Sequence, residues 1–113
     1  LLYTYKAKCI NVVDGDTIDV IVDLGFYLSK QIRVRVADVD TPELRSGREA
    51  ERKHAREAKA FVERLILDKT VTIRTKKDVG IYGRYWAEVI LSDNEVLADK
   101  LQEAGLVKLE SYE

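Results

Sequence analysis

A chain of 113 residues, 46% apolar and 35% charged, is long enough for one compact core that needs neither metal nor disulfide to hold it. A single histidine and a single cysteine exclude an internal disulfide and leave too few ligands for a zinc site or a histidine-centred nuclease. The net charge of −1 argues against a protein that grips long nucleic acid through many phosphate contacts, though not against an enzyme that engages a few nucleotides in a local cleft.

No apolar run is long enough to span a membrane, and no charged-then-apolar signal segment opens the chain. It starts on Leu1 and contains no methionine, so a processed product or an excised domain is expected, with 1–113 forming a single domain. The compartment is left open; a secreted or cell-envelope location follows if a leader has been removed.

The first forty residues read as strands. Tyr5 to Val13 is a strand-length run ending at Asp14-Gly15, a strong hairpin signal. Cys9 lies inside this run and is expected to be a buried, inert thiol. Ile18, Val20 and Val22 then alternate with Thr17, Asp19 and Ile21, and after a break at Gly25, Ile32, Val34 and Val36 alternate with Arg33, Arg35 and Ala37. The period of two puts both arginines on the face away from the core. Three strands with short turns predict a meander.

Pro42 stops the third strand. Ser46-Gly47-Arg48-Glu49 fits a capping box, and Ala55, Ala58, Val62, Leu65 and Ile66 form one apolar helical stripe with Phe61 beside it. Glu49, Lys53 and Glu57 supply alternating charges on the wet side, where His54 is expected to be a solvated residue. Thr70 to Thr75 predicts a strand and Lys76 to Gly80 a loop. Tyr85 to Leu91 predicts a fifth strand, Leu97 to Ala104 a short helix stopped by Gly105, and Leu106 to Leu109 a last short strand. The pattern predicts an α+β, mainly β fold: a five-stranded Greek-key barrel of the OB type, with a long helix after the third strand and a short second helix.

Carboxylates and arginines gather at the strand edges. Asp14 and Asp16 lie in the first turn, Asp40 and Glu43 flank Thr41-Pro42 after the third strand, and Arg35 and Arg84 stand on the third strand and before the fifth. Concentrated carboxylates are unfavourable unless a cation sits among them, and an all-oxygen donor set selects calcium or magnesium. Guanidiniums present paired donors to a phosphodiester that gains charge under attack, and Glu43 can orient or deprotonate the attacking water. Each piece alone has a structural explanation as a turn, a loop or a surface charge. Their joint occurrence points to metal-assisted phosphodiester hydrolysis.

Asp-Gly-Asp-Thr after the first strand, Arg and then Val-Asp-Thr-Pro-Glu after the third, and Tyr-Gly-Arg before the fifth resemble the staphylococcal nuclease (thermonuclease) family in the same order, over about Lys6 to Gly105. The resemblance implies one calcium ion held by Asp16, Asp40 and the main-chain carbonyl of Thr41, with Asp14 behind them. It implies that Arg35 and Arg84 hold the phosphate under attack, that Glu43 acts on the water and that Tyr82 bonds a neighbouring phosphate. It also implies sequence-tolerant hydrolysis of DNA and RNA, preferentially single-stranded, to 3′-phosphate products. The chain departs from the family's pattern in having Ile81 where a basic residue is expected and Ser111, with only Tyr112 nearby, where an aromatic pair is expected. The family's third, C-terminal helix is expected to be missing, and self-association is expected if it is. The alternative reading is a non-catalytic OB-type module that binds oligonucleotide or a protein partner.

Overall fold

The computed structural model describes residues 2–76, 80–81 and 84–112. Strands β1 (Leu2–Asp14), β2 (Thr17–Gly25) and β3 (Leu28–Val36) form the expected antiparallel meander. Helix α1 (Glu49–Ile66) follows, then β4 (Thr70–Lys76), the two-residue β5 (Gly80–Ile81), β6 (Arg84–Ile90) and α2 (Leu97–Glu103). The sheet order is β3-β2-β1-β4-β6-β5, and a parallel pairing of β3 with β6 closes five of the strands into a barrel. This is the OB-type α+β, mainly β fold that the alternation pattern predicts.

Closure follows from the period of two. Ile18, Val20 and Val22 of β2, Val34 and Val36 of β3, Ile73 of β4 and Ala87 and Val89 of β6 all point inward and are buried. Ala55, Ala58, Val62 and Ile66 are the buried face of α1, which packs on the barrel through β1, while Leu97, Ala98 and Leu101 dock α2. Cys9 is fully buried among them, as expected. Gly105 ends α2 in a left-handed conformation, φ 71°. The Gly105 and Leu106 N–H groups turn back onto the Gln102 and Leu101 carbonyls at 3.1 and 2.9 Å, which closes a Schellman cap.

Several expectations are corrected. Ser46 does not cap α1: the helix starts from Arg48 with no side-chain cap, and Ser46 Oγ accepts the Arg48 N–H in a local turn instead. Glu49 pairs with Arg52 and Arg56 rather than Lys53, because those guanidiniums reach its carboxylate at 2.7 and 2.9 Å. The segment from Leu106 to Leu109 is not a strand; its amides serve other partners, with Lys108 N–H on the Asp40 carbonyl at 2.8 Å. Of the loop expected over Lys76 to Gly80, Lys76 ends β4 and Gly80 pairs with β6 together with Ile81.

His54 is not a solvated residue. Its Nε2 lies 2.8 Å from the Gly105 carbonyl and its Nδ1 2.6 Å from the Tyr112 hydroxyl. A carbonyl only accepts, so Nε2 carries a proton; in the neutral imidazole Nδ1 then accepts from Tyr112, whose oxygen accepts the Leu109 N–H at 3.1 Å. Among the described residues no helix is long and apolar enough to cross a membrane.

Candidate active site

The site forms where the β1–β2 turn, the end of β3 and the loop before α1 meet. Thr17 pairs with Arg35, so the turn carrying Asp14 and Asp16 lies beside the strand that carries the arginine. Gly15 lets the turn sit flush against the loop. A Cβ there would meet Thr41 Cγ2 at 2.8 Å, Thr41 Oγ1 at 2.9 Å and the Ala58 Cβ at 3.0 Å. The Val36 N–H donates to the Asp16 carbonyl at 2.8 Å, which locks the turn to the strand end.

Arg35 is not on an open, solvated face, and only Arg33 is, paired with Asp19 at 2.8 Å. The Arg35 side chain is 11% exposed. Its Nη1 donates to the Val36 and Val39 carbonyls, both at 2.7 Å, so the loop folds around the guanidinium. Its Nη2 lies 3.3 Å from Asp16 Oδ2 and 3.4 Å from Asp40 Oδ1. The period of two puts Arg35 on the outward face but cannot see the loop that returns over it.

The carboxylates differ in environment. Asp16 is buried, accepts the Thr41 N–H at 2.9 Å and takes the Thr17 hydroxyl at 3.2 Å. Burial pulls Asp16 upward, but the hydrogen bond shared with Asp14, the Thr41 N–H and the Arg35 guanidinium outweigh it, and its carboxyl is held below the usual carboxylate range. Asp14 goes the other way: burial, then the shared hydrogen bond and the charge of Asp16, push it up to about 7. Asp14 Oδ1 also accepts the Asp16 N–H at 3.1 Å, so it braces the turn from behind. Asp40 is open, with its side chain 64% exposed.

Glu43 stands two residues past Thr41 with its carboxylate 58% exposed and 4.0 Å from Lys108 Nζ. Its N–H donates to Glu51 Oε2 at 2.9 Å. Arg84 opens β6, two residues before Trp86 and on the same outward face of the strand. It is half-buried and has no hydrogen-bond or ion-pair partner among the described residues. Tyr82 lies outside the described residues. Thus the fold brings Asp14, Asp16, Arg35, Asp40 and Thr41 into contact, sets Glu43 at the loop's far end and places Arg84 beside Trp86.

Three contributors escape a reading of the sequence alone: Trp86 beneath Arg35, Glu51 beneath Glu43, and Lys108 between Glu51 and Glu43. Glu51 hides in a helix whose other charges are solvated, and Lys108 belongs to a stretch without periodicity. Among the described residues no three His, Cys, Asp or Glu side chains form a cage by themselves.

Residues 33–113 match the family described as "Staphylococcal nuclease homologue". The chain is 36% identical over 110 residues to the thermonuclease of Staphylococcus hyicus, an alignment covering 96% of this chain and 60% of that protein. It is 32% identical over 79 residues to the protein ParB of Escherichia coli, covering 70% of this chain and 38% of that protein. The chain therefore spans less than two thirds of the length of either relative. The matched residues include β3 with Arg35, the Asp40–Glu43 loop and the Arg84 strand, and with the closed barrel they place this chain in the staphylococcal nuclease family.

Proposed function

We propose that this chain is a calcium-dependent, sequence-tolerant nuclease that hydrolyses DNA and RNA phosphodiester bonds, preferentially in single strands, to leave 3′-phosphate products. The observation that carries this reading is the convergence of a buried carboxylate, Asp16, and an open one, Asp40, on a single nitrogen of Arg35. Such a grouping presents hard oxygen donors and an anion-binding fork at one place.

The residues fit a hard cation. Asp16, Asp40 and the Thr41 carbonyl offer oxygen only, and Thr41 Oγ1 is a further buried oxygen with no hydrogen-bond partner among the described residues. A calcium ion held there would offset the charge of the phosphate and make a bound water more acidic.

The protein's own groups divide the remaining work. The two 2.7 Å bonds from Arg35 Nη1 to carbonyls fix the position of the fork. The longer contacts of Nη2, at 3.3 and 3.4 Å, are the ones a phosphate oxygen can replace. Arg84, with no described partner of its own, brings a second fork to the same phosphate. Glu43, exposed beyond the loop, takes or orients the proton of the attacking water. The small net charge of the chain agrees with a substrate held at a few phosphates rather than along a groove.

The test is hydrolysis of a fluorescent single-stranded DNA oligonucleotide with calcium and with chelator, with Arg84→Ala as control. Cleavage that requires calcium, leaves 3′-phosphate ends and falls by about 100-fold or more in the control is expected. A folded protein that cleaves nothing in excess calcium overturns the reading and leaves the oligonucleotide- or protein-binding module.

A further inference from the structure

The loop carrying Asp40, Thr41 and Glu43 has no regular secondary structure, so bonds from elsewhere in the chain set its shape. The Asp38 carbonyl accepts from Gln102 Nε2 at 3.2 Å, the Thr41 N–H donates to Asp16, and the Glu43 N–H donates to Glu51. Lys108 meets the loop twice. Its backbone N–H donates to the Asp40 carbonyl at 2.8 Å, and its ammonium stands 3.8 Å from Glu51 Oε2 and 4.0 Å from Glu43 Oε1.

Glu51 makes the second contact consequential. Its side chain is 9% exposed, and a carboxylate so enclosed is costly without a counter-ion. Lys108 is that counter-ion, so the ammonium is drawn to the point where the Glu43 main chain is anchored. Lys108 is itself held on both sides. Leu106 N–H bonds the Leu101 carbonyl, Leu106 and Val107 pack on the core, and the Leu109 N–H is held by the Tyr112–His54 pair. The C-terminal segment is a strap pinned to both helices, with Lys108 at its middle.

We propose that Lys108 is a positioning residue for the Asp40–Glu43 loop: its N–H fixes the main chain at Asp40, and its ammonium, shared with Glu51, fixes where Glu43 stands. The catalytic meaning of this clamp rests on the nuclease reading above, whereas its structural effect does not.

Lys108→Met removes the ammonium and keeps the N–H, and Lys108→Arg restores a cation. In the methionine variant kcat is expected to fall about tenfold with KM changed by less than about twofold, because a displaced water-activating group costs turnover rather than binding. The Thr41 and Glu43 amides are expected to exchange with deuterium about tenfold faster, while the barrel amides of Val20 and Val34 keep their protection. Lys108→Arg is expected to recover most of both losses. Wild-type protection of the loop amides in Lys108→Met overturns the proposal, as does equal loss in loop and barrel, which signals general destabilisation. If the wild-type protein cleaves nothing, the nuclease reading fails and the exchange measurement still decides the positioning role.

Discussion

The Arg35 guanidinium lies over the Trp86 ring, its Cζ 4.9 Å from the ring centroid, and the two residues are register partners in the strand pairing that closes the barrel. One contact thus joins the closure of the fold to the geometry of the site. A cation over an indole is worth about 0.5–2 kcal/mol, more as water is excluded, and Arg35 is largely shielded.

Trp86→Leu removes the π face but keeps an apolar side chain, and Trp86→Phe keeps a weaker face. Turnover is expected to fall about tenfold in the leucine variant and only a few-fold in the phenylalanine variant, because Arg35 loses its floor rather than its charge. Rates measured well below each variant's melting temperature separate this from unfolding. Equal turnover in wild type and Trp86→Leu would mean that the backbone carbonyls alone hold the arginine.

Gly15 has no room for a side chain. An alanine Cβ would press on Thr41 and Ala58 at 3.0 Å or less, and both neighbours are themselves packed in. Gly15→Ala is expected to cost about 1–3 kcal/mol in urea denaturation. It is also expected to raise the calcium needed for half-maximal activity, because the strain falls on the loop that carries Asp40. Thr41→Ser removes the methyl group that clashes first, so the double variant is expected to recover at least about 0.5 kcal/mol relative to additivity. Strict additivity would place the strain elsewhere.

How far the sequence predicts the structure depends on whether a residue's role is local or distant. The three-strand meander follows from alternation at Ile18–Val22 and Ile32–Val36, and α1 follows from the stripe through Ala55, Ala58, Val62 and Ile66, because burial imposes a period on each. The short motifs mark the candidate site because turns and strand ends are where side chains can converge without breaking a core. Alternation puts Arg35 on the outer face of the sheet, where it lies, but does not describe the loop that folds back over it. Ser46 departs from the expected cap because a serine before a helix can close its own small turn as easily as cap the helix. Lys108, Trp86 and His54 act across long sequence separations, and no local pattern encodes such partners.

Cys9 gives a pH dependence with a definite sign. Burial, only partly offset by its hydrogen bond to the Asn11 carbonyl, pushes the thiol from 9.0 up to about 11. Between those values the unfolded thiol has lost its proton while the folded one keeps it, so stability is full below about pH 9 and declines as pH rises toward 11. The slope is at most about 1.4 kcal/mol per pH unit for one proton. Wild type is expected to lose stability relative to Cys9→Ala across this window, and the native thiol is expected to resist aromatic disulfide reagents near pH 8. Parallel stability curves would show that the thiol ionises as easily folded as unfolded.

The β2–β3 hairpin turns through Phe26 and Tyr27, both left-handed with φ of 55° and 59°, between the paired residues Gly25 and Leu28. This is the geometry of a primed two-residue turn, which favours Asn-Gly. Two bulky aromatics held there are strained by about 1 kcal/mol each. They gain nothing from packing within the described chain, since Phe26 is 93% exposed and Tyr27 fully so. Replacing the pair with Asn-Gly is expected to raise the urea midpoint by an amount equivalent to about 1 kcal/mol, with the slope unchanged. Hydrolysis is expected to be unaffected, because the turn lies at the far end of β2 from Thr17, about 26 Å away at 3.3 Å per residue. A loss of stability instead would mean that the aromatics are held by contacts that outweigh their backbone strain.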